Sequence, residues 1–205
     1  MIEKTVRPLL GDNAPEARLI YGRDVRESLQ ALPQSSVHCV VTSPPYWGLR
    51  SYLAADAVNK VSEIGSEPTL DGFIANLVVL FQELKRVLRK DGTVWLNLGD
   101  SYMGGSRAGK NPDTWQSQAS FGKADKIVRA GGFGLPSAIP DGLKPKDMGG
   151  VPWRVAFALQ ADGWYLRSAC PWIKRNVMPE SCTDRPSSAV EYIFLLAHPD
   201  SGGTY

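Results

Sequence analysis

Hydrophobic positions recur along the chain with two periods, and each period marks a different kind of element. Between residues 70 and 90, Phe73, Leu77, Leu80, Phe81, Leu84, Val87 and Leu88 return every three or four positions. That spacing predicts one amphipathic helix with a single apolar stripe. Asp71 can cap its start, and Lys85, Arg86, Arg89 and Lys90 suit the negative end of its dipole. Upstream, Arg18 to Tyr21 reads as a short strand, Asp24 as an N-cap, and Val25, Leu29 and Leu32 as one face of a helix that Pro33 ends. Val37 to Thr42 is rich in β-branched residues and reads as a buried strand. Strand, helix and strand in succession predict a βαβ unit, and with it a parallel sheet.

The alternation then repeats. Asp91-Gly92 is expected to turn the chain into TVWLNLGD, a buried strand with a polar tip. In GGVPWRVAFALQADGW, Pro152 suits a first helical turn, Val155, Phe157, Ala158 and Leu159 supply apolar faces, and Asp162-Gly163 marks the end. YLRSACPWIK reads as a strand interrupted at Pro171, and VEYIFLLAH as an apolar strand, an edge hairpin partner. The stretch from 104 to about 146 breaks the pattern, being rich in Gly, Ser, Pro, Lys and Arg with little periodicity. It predicts a long flexible loop inserted into a single domain spanning 1–205.

Composition adds bounds. A chain of 205 residues suits one core, and a net charge of +2 neither demands nor excludes a nucleic-acid partner. Cys39, Cys170 and Cys182 are odd in number and lack CxxC or Cys/His spacing, so they suggest neither a disulfide framework nor a metal site. The first residues contain no apolar signal core, and no run approaches ~18 apolar residues. A cytoplasmic protein without membrane association is expected.

Chemistry enters at TSPPYW, residues 42–47. Prolines cannot donate to a sheet ladder, so the strand must stop near Ser43 and hand over to a stiff loop at its carboxyl end, where open α/β sheets bind ligands. NLGDSY ends the second strand in the same sense. Together the two tips offer Ser43, the carbonyls of Pro44 and Pro45, Tyr46, Trp47, Asn97, Asp100 and Tyr102. His38 and His198 sit within apolar strand patterns, where a core or edge position is expected, and no GxSxG elbow exists, so triad hydrolysis is disfavoured. The set suits a planar ring bearing an amine, with aromatics on its face and hydroxyl or carbonyl acceptors for the amine hydrogens. Such acceptors favour pyramidalisation and stabilise the positive charge that develops as the nitrogen attacks an electrophile.

TSPPYWGLRSY resembles the catalytic motif of the DNA amino-methyltransferases, specifically the permuted (beta) group in which the catalytic loop precedes the cofactor-binding glycine motif. The serine form is similar to that of the cytosine-N4 enzymes, whereas relatives acting on adenine usually carry Asp in place of Ser43. GRDVRESLQALPQSSVHCVVTSPPYW, LKRVLRKDGTVWLNLGDSY and the block from LKPKDMGG to EYIFLLAH resemble consecutive family blocks in family order. The resemblance implies an α/β domain of the Rossmann-like S-adenosyl-L-methionine-dependent methyltransferase fold, with a mostly parallel sheet and flanking helices. It also implies direct in-line transfer of methyl to nitrogen, without a metal. By position, Ser43 and the Pro44 carbonyl would accept from the target amine, Pro45 would hold the loop, Tyr46 would stack on the flipped base, and Trp47 would be a wall or second stack. Asp24 stands where the family contacts the adenosine half of the cofactor, with a helix N-cap as the alternative. Asp100 would help the same site or cap a turn. Lys123 and Arg129, with Arg107, Lys110 and Lys126, would meet DNA phosphates, and Trp115 or Phe121 would fill the space of an extruded base. Lys174, Arg175 and Arg185 would line the DNA-facing side.

One family block has no counterpart, a strand followed by an FxGxG-type turn. GGFGLP at 131–136 has the glycines without a preceding strand. The chain is therefore expected to be incomplete at its C-terminus, with exposed apolar surface, and with a complementing C-terminal half or a second copy as partner. Val190 also departs, since many relatives carry His there. The expected function is site-specific methylation of double-stranded DNA at cytosine N4, in a bacterium or phage, alongside a cognate restriction endonuclease. Adenine-N6 methylation and a non-catalytic DNA-binding fragment or subunit stay open as alternatives.

Overall fold

A computed structural model describes residues 2–6, 16–48, 52–54, 56–103, 139–177 and 183–202. Lys123, Arg129, Arg107, Lys110, Lys126, Trp115 and Phe121, on which DNA contacts were expected, lie outside the described residues. Strands β1 (Ile2–Val6) and β2 (Ala17–Tyr21) pair antiparallel as a two-stranded ribbon. Strands β3 (Val37–Thr42), β4 (Leu88–Leu98), β5 (Tyr165–Ile173) and β6 (Val190–Ala197) form a sheet in the order β3-β4-β6-β5. Helix α1 (Val25–Gln30) leads from β2 towards β3, α2 (Leu70–Val87) runs directly into β4, and α3 (Val151–Ala161) precedes β5. Among the described residues no helix is long and apolar enough to cross a membrane.

The mixed α/β class with flanking helices is as expected, and the strand pairing differs in three ways. First, β2 does not join β3 in a βαβ unit; four of its five residues are exposed, so it has no apolar face to bury between two strands. Second, of the pairings in the four-stranded sheet only β3–β4 is parallel, while β4–β6 and β5–β6 are antiparallel. No described helix separates β5 from β6, and a parallel pair requires a crossover that such a return does not supply. Third, β6 lies inside the sheet and β5 takes the edge. Phe194 and Leu196 are fully buried and suit the interior position, whereas Pro171 continues β5 without a break because an edge strand tolerates a missing N–H.

The apolar stripe of α2 builds the core as its spacing predicts. Phe73, Leu77, Leu80, Phe81, Leu84 and Val87 are all buried and cluster with Val94, Leu96, Leu98, Phe194 and Leu196 of the sheet. The helix is capped by Thr69, whose Oγ1 accepts from Gly72 N at 3.1 Å, and not by Asp71. Its terminal cations serve neighbours. Arg86 donates to the carbonyls of Leu29 and Leu32 at 2.9 and 3.0 Å, satisfying the exposed end of α1, and Lys85 pairs with Asp162 beyond α3 at 2.5 Å. The Asp91-Gly92 turn is absorbed into β4, where the pairing with β3 jumps from Val37–Leu88 to Cys39–Thr93.

Strand alternation gives the sheet two unlike faces. Val40, Val94, Leu196 and Leu166 are register partners facing the core that α2 and α3 cover. Their neighbours Val41, Trp95 and Leu195 point the other way, and there Val41 is 81% exposed.

Candidate active site

Parity along three strands assembles the site. Ser43 lies two residues beyond Val41, Asn97 two beyond Trp95, and Glu191 four before Leu195, so alternation projects all three from the face opposite the helices. Because β3 and β4 are parallel and β6 is antiparallel to β4, the carboxyl ends of the first two meet the start of the third. Lys174, just past β5, arrives at the same end.

These groups are hydrogen bonded. Tyr46 Oη donates to Asn97 Oδ1 at 2.8 Å, and Ser43 Oγ lies 3.4 Å from both Asn97 Oδ1 and Tyr46 Oη. Asn97 Nδ2 donates to the Tyr192 carbonyl at 3.2 Å and faces Glu191 Oε2 at 3.5 Å. Glu191 Oε1 accepts from Lys174 Nζ at 2.5 Å, while its Oε2 stands 3.5 Å from Tyr46 Oη. Burial foremost, with the facing Glu191 carboxylate adding to it, pushes the Tyr46 phenol above its usual range. Tyr46 therefore remains a neutral donor at physiological pH.

The loop that carries these residues is tied down on all sides. Pro44 is buried, Ser101 Oγ donates to the Trp47 carbonyl at 3.1 Å, and Gly48 N donates to the Gly65 carbonyl at 2.9 Å. Gly65 has φ +92°, and a Cβ there would stand 3.1 Å from Pro45 Cβ and the Tyr46 carbonyl. At Gly99 the approach is closer, since a Cβ would lie 2.4 Å from Tyr46 Cε2. The tyrosine ring thus rests on bare backbone, in a place no other residue type leaves open.

Trp47 requires a correction. It was expected as a wall or second stack, but it is 1% exposed and its Nε1 donates to the Glu67 carbonyl at 3.0 Å. Its bulk fills the core beneath the loop. Asp24 is the N-cap of α1, its side chain accepting from Arg26 N at 2.8 Å, and it borders an open cleft of about 320 Å³ with Val25, Pro45, Tyr52, Leu53 and Glu63. The Arg26 guanidinium, bound at 2.9 Å through two nitrogens, holds the Asp24 carboxyl below its usual range. Asp100 does not line that cleft. Its Oδ1 accepts from Ser101 N at 2.8 Å and Val151 N at 3.0 Å, supplying the cap that Gly150 cannot offer α3. Burial pushes its carboxyl above the usual range against those bonds.

Lys174 reaches Glu191 at this end of the sheet, and Arg185 lies 3.4 Å over the Tyr102 ring. His198 is structural: Nε2 meets the Lys85 carbonyl at 3.1 Å and Nδ1 accepts from Asp200 N at 3.0 Å. Three contributors escaped the sequence reading. Glu191 had a signal, as the one charge in VEYIFLLA. Gly99 and Glu63 had none, because a close approach and a loop staple are visible only in three dimensions. Glu63 accepts from the amides of Tyr52 and Leu53, from Ser66 Oγ and from Lys60, and so shapes the wall of the cleft.

Residues 37–202 match the model of a family described as DNA methylase, of the N6/N4 type. The chain is 47% identical over 188 residues to the Type II methyltransferase M.SmaI of Serratia marcescens, an alignment covering 92% of this chain and 58% of that protein. It is 45% identical over 177 residues to M.Cfr9I of Citrobacter freundii, covering 86% and 53%. The chain thus spans little more than half the length of these curated relatives. Among solved structures it is similar to PvuII DNA methyltransferase, described as cytosine-N4-specific, with a TM-score of 0.54 at 15% identity, covering 88% of this chain and 49% of that one. It is also similar to a DNA modification methylase of Thermus thermophilus complexed with S-adenosyl-L-methionine, with a TM-score of 0.51 at 19% identity, covering 89% and 53%. At those identities the likeness shows the fold.

Proposed function

The chain belongs to the N6/N4 DNA methylase family, and from that premise we propose that it supplies the amine-activating site of a Type II, S-adenosyl-L-methionine-dependent DNA methyltransferase acting on cytosine N4. The observation that carries this reading is the cluster at the end of β3 and β4, where Ser43 and Tyr46 meet Asn97 on a rigid loop. Ser43 Oγ and the Pro44 carbonyl accept the hydrogens of the target amine and direct its lone pair away from the ring system. The exposed face of Tyr46 stacks on the extruded base, with Gly99 behind it. Serine at the head of the motif, rather than aspartate, supports cytosine as the target.

The cleft beside Pro45 fits the adenosine half of the cofactor: Val25, Pro45 and Leu53 offer apolar surface to a purine, and the Asp24 carboxylate offers acceptors to hydroxyl or amine groups. When bound, the cofactor supplies a methyl group on a positively charged sulfur. The target amine held by Ser43 and the Pro44 carbonyl would be the acceptor of that methyl group, giving up one of its hydrogens as a proton to solvent. Ser43, the Pro44 carbonyl and Tyr46 hold the base for that transfer and stabilise the charge on nitrogen. The basic residues of 104–138, Lys123 and Arg129 among them, and Lys174 are assigned to the DNA phosphates, and a cognate restriction endonuclease is the expected companion activity.

Nucleoside mass spectrometry tests the reading, on mixed-sequence double-stranded DNA incubated with this chain and labelled S-adenosyl-L-methionine. Label in N4-methylcytosine is the expected result. Label in N6-methyladenine keeps the chemistry and overturns the base, and absence of label from a folded chain overturns the activity assigned to it.

A further inference from the structure

A serine at the head of this loop carries a liability that an aspartate does not. A carboxylate presents only acceptor lone pairs, whereas a hydroxyl owns one hydrogen and rotates freely. If that hydrogen pointed outward, a donor would face the donor hydrogens of the target amine. The hydrogen has to be drawn inward by something fixed.

We propose that Asn97 is the positioning residue that sets the polarity of Ser43, so that Ser43 offers an incoming amine lone pairs alone; the proposal rests on the methyltransferase reading for what the amine is. The orientation of the Asn97 amide follows from its surroundings. Nδ2 donates to the Tyr192 carbonyl at 3.2 Å and faces Glu191 Oε2 at 3.5 Å. Flipping the amide would set its oxygen against a carbonyl and a carboxylate. Oδ1 therefore faces the catalytic loop, where it accepts from Tyr46 Oη at 2.8 Å and receives Ser43 Oγ at 3.4 Å. Tyr46 spends its own hydrogen on Asn97, which leaves Oη as a second inward acceptor for Ser43, also at 3.4 Å. Lys174 fixes Glu191 from the far side at 2.5 Å. The hydrogens run in one sense, from Ser43 and Tyr46 to Asn97 and from Asn97 to the Tyr192 carbonyl and Glu191, with Lys174 closing the chain on Glu191, and the lone pairs of Ser43 are left facing outward.

Two measurements test this. In single-turnover methylation, Asn97→Leu, close in size but without polarity, lowers the rate roughly 3- to 10-fold, the scale of one hydrogen bond, with DNA affinity unchanged. In a Ser43→Ala background the same substitution causes a smaller loss, confined to what Tyr46 loses with its acceptor, because the group whose polarity Asn97 sets is gone. Equal losses in both backgrounds overturn the proposal. The second measurement needs no activity and no variant: neutron diffraction from a deuterium-exchanged crystal of the chain places the Ser43 deuterium towards Asn97 Oδ1 or Tyr46 Oη. A deuterium pointing into solvent overturns the proposal, whether or not the chain methylates DNA. A chain that transfers no methyl, but shows the inward deuterium, sinks the functional reading and leaves the polarity assignment standing.

Discussion

Replacing Glu63 by glutamine tests how the wall of the cleft beside Pro45 is held. The Glu63 side chain is 5% exposed, and its carboxylate accepts from Tyr52 N at 2.5 Å, Leu53 N at 2.9 Å and Ser66 Oγ at 3.0 Å besides pairing with Lys60. Burial by itself would raise its pKa. The Lys60 ammonium, the two amides and the Ser66 hydroxyl outweigh burial and bring it from 4.5 down to about 2. Each pKa unit is worth about 1.4 kcal/mol, so a fall of about two and a half units corresponds to about 3 kcal/mol held by the ionised group. Since the folded pKa is depressed, that stabilisation is fully present above 4.5 and is lost as pH falls through about 2.

Glu63 acts on two named backbone amides, so the informative assay is local. Hydrogen exchange of the Tyr52 and Leu53 amides, normalised to intrinsic rates, is expected to be faster in Glu63→Gln by about 100-fold at pH 7, the exchange equivalent of about 3 kcal/mol. The gap between wild type and variant should close as pH is lowered across the window from 4.5 to about 2. Equal protection at pH 7, or a gap that stays constant through that window, would refute the assignment of Glu63 as a charged staple.

Further substitutions separate support from chemistry. Gly99→Ala puts a Cβ 2.4 Å from Tyr46 Cε2, so the ring must move; a methylation rate down at least tenfold with an unchanged melting temperature is expected, and an unaffected rate would show that the ring is not a working surface. Ser43→Ala and Tyr46→Ala should each lower methylation by orders of magnitude in a folded protein, and near-normal turnover in both would remove the site assignment. Asp100→Asn keeps an acceptor for Ser101 N and Val151 N while removing a buried charge. Because burial raises the Asp100 pKa, wild type loses stability as pH rises above 3.8, so the variant should match it in acid and equal or exceed it at pH 7 in urea titrations. Loss of activity with full stability would instead return Asp100 to the cofactor-binding role read from the sequence. Trp47→Ala should cost about 3–5 kcal/mol as a core truncation, and a stable variant defective only in DNA binding would restore Trp47 as a substrate wall.

What the sequence revealed was what local rules control. The stripe of α2 is set by helical spacing and the end of β3 by two prolines, and both are found where the pattern puts them. The pairing partner of β2 and the interior place of β6 were misjudged because both depend on segments far away in the chain. An apolar run such as VEYIFLLA says that a strand is buried on both sides without saying by what. The charges at the end of α2 failed as dipole partners for a similar reason: Arg86 finds better acceptors in the unsatisfied carbonyls of α1, 54 and 57 residues back in sequence. Trp47 shows the limit most clearly. An aromatic beside a catalytic loop reads as a stacking surface, and only packing reveals that the loop needs a core anchor more.

Ser43, Asn97 and Glu191 come together by register, and register is decided on the opposite face of the sheet. Glu191 stands 145 residues from Tyr46 in sequence and reaches it because Asn97 pairs with Ile193 and Leu98 with Tyr192. Those pairs are fixed by Phe194 and Leu196, which are fully buried beside Leu96 and Val94. Slipping β6 by one residue would pull both core side chains onto the open face and turn Glu191 into the core as an uncompensated charge. The apolar alternation that sustains the fold therefore also holds the polar cluster in place. A substitution such as Phe194→Ala, remote from any reacting atom, weakens the register that keeps Asn97 facing Ser43. Core packing is in this sense part of the site, which is why Ser43, Tyr46 and Asn97 were legible at the two strand tips while Glu191, brought to them by register, was missed.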